Sequence, residues 1–300
     1  MTVSRVLRDS RQVREQTRRK VQAAIKQTGY KPDPALSALA AYRTKDGGGK
    51  GSVLAFLDVD PDDYSQVVAE GARAEALLLG YTVDIFPMKR EERSQKQLSR
   101  MLYHRGVRGL LFGPSDKRWH FAGWNWPEFA AVSLGALAHE PALHSVAMDY
   151  FQGAVDGWRL LKAEGCRNIG LALSAQLEER SGHRWIGGML AESGGNRECL
   201  YLYQQWNARH FRAWLTKHNI DGVLTIHGEV VDTSLENNTK IVLLNEQSRR
   251  NGLSFLSLDP ARIGAEGVRL LHHLLLRREY GLPQEPAHLA LKGNYIHRDL

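Results

Sequence analysis

The chain has 300 residues, 43% of them hydrophobic, and its 40 Lys/Arg against 33 Asp/Glu leave a net charge of +7. That length and apolar content are enough for a well-buried core. Two cysteines exclude a disulfide framework, and no stretch reads as a signal peptide or membrane span, so a cytoplasmic protein is expected.

The charge is unevenly spread. Residues 1–45 hold eleven Lys/Arg against Asp9, Glu15 and Asp33, an excess of +8 that leaves the other 255 residues at −1. An excess confined to one short segment is the footprint of a nucleic-acid-binding head on a near-neutral body. A solvated basic tail or a polybasic membrane patch carries the same charge without regular apolar spacing. Here that spacing is present. Thr2-Val-Ser-Arg-Val-Leu7 precedes a helix-breaking Asp9-Ser10, and between Val13 and Gly29 the residues Thr17, Val21, Ala24, Ile25 and Thr28 fall on one helical face. Gly29 suits a C-cap, and Lys31-Pro-Asp-Pro34 imposes an extended turn. Ala35 to Tyr42 is a short Ala-rich helix that needs a partner to stay folded, and Arg43 to Gly51 is a Gly-rich spacer.

Thr2-Val-Ser-Arg5, Thr17-Arg18, Val21, Gly29-Tyr30, Pro32 and Leu39, in this order and spacing, resemble the DNA-binding head and hinge helix of the lactose repressor/galactose repressor (LacI/GalR) family. The resemblance implies a recognition helix in the major groove and paired hinge helices in the minor groove of a dimer's operator. Thr2, Ser4 and Arg5 match its DNA-contacting positions, and Arg5 suits a bidentate contact with a guanine edge. Leu39 matches the leucine that wedges open a base step, or it packs hinge against hinge. Leu36 stands where the family usually has alanine. Phosphate contacts are expected from Arg11, Arg18, Arg19 and Lys20. Met1 falls where a first helix and turn should already have been supplied, so a truncated head is expected, about 15 to 20 residues short by the length of one helix and turn.

From Ser52 onward, apolar strands alternate with amphipathic helices, which predicts parallel sheets covered on both faces. Strands are expected at 52–59, 82–86, 109–112, 169–173, 199–203, 222–226 and 240–244, and helices at 64–79, 91–104, 149–164, 178–192 and 208–218. About 250 residues of such units divide best into two lobes. The fold class is therefore α/β: a truncated all-α helix-turn-helix head (1–31), a hinge helix and linker (32–51), and a core (52–300). The resemblance, looser over this core, implies two lobes like those of periplasmic sugar-binding proteins. Lobe 1 is expected over about 52–147 plus 260–285, and lobe 2 over 148–259 plus 286–300, with the final strand, 288–296, in lobe 2.

Open parallel sheets bind ligands beyond the carboxyl ends of their strands, which places an effector in the cleft between lobes. The resemblance marks Asp149 and Arg184 as pocket positions. Asp149 also fits a helix cap, and Arg184 a surface charge. Tyr64 aligns with an aromatic wall position and fits the core equally well. His227-Gly228 stands where the family commonly has Asn-Asp, and Asn245-Glu246 where it often has an Asp pair; these changes remove acidic acceptors for sugar hydroxyls, so a sugar is a default among polar metabolites. The aromatic run from Trp119 to Trp126 is either a ligand platform or, more simply, packing over the edge of a lobe.

Enzyme chemistry finds no foothold. Gly47 to Ser52 has the wrong spacing for a phosphate loop, no Gly-x-Ser-x-Gly elbow occurs, and no Cys/His cluster has zinc spacing. No cofactor is expected. The sequence therefore points to a ligand-responsive transcriptional regulator, more often a repressor in this family, binding a palindromic operator as a homodimer. The competing reading is a sensor or solute-binding module without specific DNA binding because its head is incomplete.

Overall fold

The computed structural model describes residues 15–28, 52–137, 139–246 and 250–296. The chain divides into two units, 1–50 and 51–300. In the first, helix α1 (Glu15–Thr28) carries Val21 half-buried, with Thr17 and Ala24 exposed. The recognition run at 2–7 and the hinge at 35–42 lie outside the described residues.

The second unit holds two six-stranded sheets. The first comprises β1 (Ser52–Asp58), β2 (Tyr81–Pro87), β3 (Gly109–Phe112), β4 (Ala130–Leu134), β5 (His144–Met148) and, from the end of the chain, β11 (His288–Leu291). Its spatial order is β11-β5-β4-β3-β1-β2, and every pairing is parallel. The second comprises β6 (Ile169–Ser174), β7 (Leu200–Tyr203), β8 (Gly222–Thr225), β9 (Lys240–Leu243), β10 (Ser254–Ser257) and β12 (Asn294–Ile296), in the order β12-β10-β9-β8-β6-β7. Only β12 runs antiparallel to its neighbour.

The apolar runs read in the sequence become strands buried on both faces: β3 and β4 are buried throughout, as continuous hydrophobic strands under two helical layers require. Helices α2 (Asp63–Leu78), α3 (Glu92–His104) and α9 (Pro260–Arg277) cover the first sheet. Leu54, Phe56, Leu111, Val132, Val268 and Leu271 pack into one side of this core. On the second sheet lie α4 (Tyr150–Ala163), α5 (Ala175–Arg180), α6 (Arg184–Glu192), α7 (Ala208–Lys217) and α8 (Gly228–Glu236), where Leu161, Leu171, Leu173, Trp185 and Val242 form a separate core.

The chain passes between the sheets three times, after β5, after β10 and between β11 and β12. The third passage corrects the expected boundary: residues 288–291 pair with β5 in the first sheet, not in the second lobe, and the change of sheet occurs at Lys292-Gly293. Gly293 explains the location. A Cβ there would lie 2.9 Å from the carbonyl oxygen of Ser257 and 2.7 Å from Leu258, so only glycine lets the third passage run close beside the second.

The helix expected over 178–192 is also corrected. It breaks into α5 and α6 at Ser181-Gly-His183, where Gly182 (φ 65°) and His183 (φ 62°) adopt left-handed backbone. The buried Glu178 fixes the break. Its carboxylate accepts Ile186 N–H at 3.0 Å, in the first turn of α6, and Ser181 Oγ lies 3.3 Å from its other oxygen. The aromatic run resolves as packing: Trp119, Phe121 and Trp124 are buried around Phe112, and Trp124 Nε1 donates to Gln95 Oε1 at 3.1 Å.

Candidate functional site in the inter-lobe cleft

Parallel strands deliver their carboxyl ends to the side where the two sheets meet, and the first turns after those strands supply the polar groups. After β1, Asp62 caps α2 by accepting Ser65 N–H at 2.6 Å. Its other carboxylate oxygen lies 2.8 Å from Nη1 of Arg180, the last residue of α5. Asp116, which follows β3, reaches the same Nη1 at 2.9 Å and accepts from Gln176 Nε2 at 3.2 Å. The Arg180 guanidinium also sits 4.7 Å from the ring centre of Tyr64, a cation–π geometry.

Burial pulls the Arg180 pKa down, but the hydrogen bond and charge of Asp62 and the charge of Asp116 outweigh it, and the net shift is upward. Arg180 is thus a fixed cation of lobe 2 clamped between two carboxylates of lobe 1. Beside it the hydroxyls of Tyr64 and Tyr150 meet at 3.2 Å. Burial, reinforced by the neighbouring phenol, pushes Tyr64 well above its ordinary pKa, and burial raises Tyr150, so both act as neutral hydroxyls. Arg184 makes a further bridge, donating Nη1 to the carbonyl of Ala136 in lobe 1 at 2.6 Å and to that of Ser181 at 3.1 Å.

The expected pocket residues fall into two groups. Tyr64 lies at the bridge, half-buried: its ring packs against the lobe 1 core and its hydroxyl meets that of Tyr150. Asp149 follows β5, accepts Gln152 N–H at 3.0 Å and caps α4, the simpler of its two readings, while its backbone N–H donates to Leu291 O in the neighbouring strand. Arg184 opens α6 and reaches across to the other lobe, so it is not a plain surface charge. His227 belongs to a different constellation within lobe 2. Its Nε2 accepts Ser174 N–H at 3.1 Å, and its ring meets Tyr203 edge-on, whose hydroxyl donates to Glu229 at 2.9 Å. Burial lowers the His227 pKa, with Glu229 opposing, and the ring stays a neutral acceptor. Asn245, half-buried, follows β9 at the carboxyl edge of the second sheet.

Sequence reading did not find Arg180, Asp62, Asp116, Tyr150 or Glu178. Each is a common residue type in a helix or turn; Arg180, Asp62, Asp116 and Tyr150 find their bridging partners only where the lobes meet, and Glu178 finds its own across the break between α5 and α6. Of the expected DNA contacts, Thr2, Ser4, Arg5 and Leu39 lie outside the described residues, and Arg18 lies on α1. Among the described residues no group of three or more His, Cys, Asp or Glu is arranged to hold a metal ion, and no helix is long and apolar enough to cross a membrane.

Residues 1–33 match the family model of the bacterial regulatory proteins of the lacI family. The resemblance seen in the head is thereby borne out. The chain is 28% identical over 169 residues to the HTH-type transcriptional regulator RegA of Clostridium saccharobutylicum, an alignment covering 56% of this chain and 49% of the relative. It is likewise 28% identical over 171 residues, with the same coverages, to the sucrose operon repressor of Streptococcus mutans serotype c. The chain thus spans about half the length of the curated relatives it matches. Among solved structures, the lac repressor dimer bound to operator and the anti-inducer ONPF aligns with 98% of this chain and 93% of its own at a TM-score of 0.60 and 17% identity. A regulatory protein of the LacI family from Chloroflexus aggregans aligns with 82% and 97% at 0.62 and 17%. At such identities these structures establish the fold: a two-lobed α/β core of the kind the sequence implied.

Proposed function

We propose that this chain, whose head matches the lacI family, is a ligand-responsive transcriptional regulator that binds a palindromic operator as a homodimer and is not an enzyme. The observation that carries the reading is the union of that head with a two-lobed core whose lobes meet through a few polar side chains. Thr2, Ser4, Arg5 and Leu39 make the base and groove contacts in this proposal, and Arg18 contributes to the phosphate contacts that make affinity salt-dependent. A polar metabolite in the cleft is the effector, with Tyr64, Asp149 and Arg184 nearest to it and His227 and Asn245 on the lobe 2 side.

Such a ligand acts only if it binds one arrangement of the lobes better than the other. Dimerisation is supported by Leu77 and Leu78 at the end of α2, which are 74% and 80% exposed, next to the edge strand β2 with its exposed Ile85. A row of large apolar side chains on an edge favours covering by a second protein surface. Repression and a cytoplasmic location belong to the same proposal.

The test is selection from a random duplex DNA library by the purified full chain. Enrichment of a two-fold symmetric sequence, bound with an affinity that falls steeply as salt rises, is the expected result. A core that binds metabolites while no sequence is enriched would overturn the regulator reading in favour of a sensor without specific DNA binding.

A further inference from the structure

The bridge at Arg180 has the composition of a site for a cation. Asp62 Oδ2 and Asp116 Oδ1 approach from two loops of lobe 1, after β1 and after β3, and converge on one nitrogen, Arg180 Nη1, at 2.8 and 2.9 Å. The Tyr64 ring supplies a third side, its centre 4.7 Å from the guanidinium carbon. Carboxylates beside an aromatic face form a cage that favours a positive charge. Lobe 1 brings no cation of its own to it. Residues 52–72 contain Asp58, Asp60, Asp62, Asp63 and Glu70 but neither Lys nor Arg, and among the described residues Arg180 is the only cation within 4 Å of Asp62 or Asp116.

Arg180 fits that cage imperfectly. Both carboxylate contacts fall on the same nitrogen, and only the one with Asp62 is a hydrogen bond. Asp116 Oδ1 is buried and receives none, although Nη1 is within reach. A buried carboxylate oxygen without a hydrogen bond opposes folding, and such atoms are rare in native proteins. The cause lies in the guanidinium. Its N–H bonds are fixed in one plane, so a nitrogen aimed at Asp62 is not aimed at Asp116 as well, and among the described residues Nη2 and Nε make no hydrogen bond. An ammonium carries three N–H bonds on a rotatable point charge and satisfies both oxygens from that one position.

The cage is open to exchange. The side chains of Asp62 and Asp116 are 38% and 29% exposed, against 22% for Arg180. A solute reaches it by replacing Arg180, which covers it, rather than by entering a sealed cavity.

We propose that the metabolite of this cleft carries a primary ammonium group, which takes the place of Arg180 Nη1 between Asp62, Asp116 and the Tyr64 ring. Arg180 is then an internal stand-in for the ligand, a lobe 2 cation that closes the cage until an amine displaces it. Displacement removes a contact between the lobes, so both register it. The role of the amine as effector rests on the regulator reading above; its binding does not.

The experiment compares glucosamine with glucose, which differ by an ammonium in place of a hydroxyl, and ethylammonium with tetramethylammonium, which has the charge without an N–H. Binding to the full chain is followed by calorimetry and thermal melting, at one ionic strength and below the pKa of the amines. The parent is expected to bind glucosamine about tenfold more tightly than glucose. Arg180→Ala removes the competing occupant, so that preference should widen about tenfold again, and ethylammonium should raise the melting temperature about 2 °C more than tetramethylammonium does. Asp116→Asn keeps the shape of the cage and should erase both preferences, alone and combined with Arg180→Ala. Both comparisons are also made in the parent, so the result does not hang on the folding of Arg180→Ala. Either preference, if erased by Asp116→Asn, sustains the proposal. The absence of both, or a preference that survives Asp116→Asn, overturns it. Glucose bound more tightly than glucosamine, with no response to ethylammonium, overturns the ammonium class while leaving the regulator reading intact. Conversely, an amine that binds through Asp116 without altering affinity for the selected DNA sustains the cage and overturns its role as an effector site.

Discussion

At the scale of single residues, the cleft depends on a few polar groups taken out of water, and Glu178 shows what that costs. Burial is the main influence on its carboxyl and raises it to about 7, against which the hydrogen bonds from Ile186 N–H and Ser181 Oγ pull weakly downward. A folded-state pKa above the unfolded one means that the native protein binds the proton more tightly. The contribution to stability is therefore complete below about pH 4.5, declines as pH rises towards 7, and is lost above it. Glu178→Gln keeps an acceptor for Ile186 N–H and cannot ionise. In urea unfolding at a series of pH values, the variant should match the parent near pH 4.5 and exceed it by on the order of 2–3 kcal/mol at pH 8. A variant less stable than the parent at pH 8 would show that the hydrogen bonds of the ionised carboxylate outweigh its burial. His139 opposes this trend: held low by burial, it favours the native state above its unfolded pKa and loses that contribution as pH falls from 6.5 towards 4.

Elements meet here through glycines as well as through apolar side chains. Helices α2 and α9 cross so closely that a Cβ on Gly264 would overlap the backbone carbonyl of Val68, and one on Gly71 that of Ala261. Backbone cannot yield as a side chain end does, so Gly264→Ala forces the helices apart and loosens Val68, Ala72 and Val268 in the core. The expected loss is about 3 kcal/mol or more in thermal or urea unfolding. Gly165→Ala serves as the contrast: its φ of 91° strains any side chain, but nothing lies within 4 Å of the added carbon. Its cost should stay near 1–2 kcal/mol. Equal losses would mean that backbone strain rather than helix proximity governs both positions. Element types were legible in the sequence because buried parallel strands are written as apolar runs, such as Gly109 to Phe112, and surface helices as 3.6-residue periodicity, as in 208–218. Where periodicity ran on, the reading overshot. It carried a helix through Ser181-Gly-His183, and it carried one strand from 288 to 296 although Gly293 marks a change of sheet. The strand at Ser254–Ser257 and the helix at Gly228–Glu236, both short, were passed over.

At the scale of the molecule, each lobe has its own cores; Tyr150 and Leu258 pack against a core of each, and the rest of the bridge is a small set of polar contacts. That division of labour decides what a bridge variant should do. Arg180→Gln removes the cation shared by Asp62 and Asp116 and the partner of the Tyr64 ring, while leaving every apolar core untouched. It also leaves two carboxylates of the same lobe facing the cleft without a counter-charge, and the repulsion is relieved by hydration as the lobes part. The stability of the individual lobes should change little. The radius of gyration of the variant in X-ray scattering should instead exceed that of the parent, and amide exchange should accelerate through 176–186, where the bridging side chains are anchored. Unchanged scattering and exchange would show that Tyr64–Tyr150 and Arg184–Ala136 suffice to hold the lobes together. In the proposed regulator the same variant separates two quantities that effector binding joins. If the bridged arrangement has the higher operator affinity, Arg180→Gln lowers that affinity without ligand. If the parted arrangement does, affinity rises, and the direction gives the sign of the response before any effector is known.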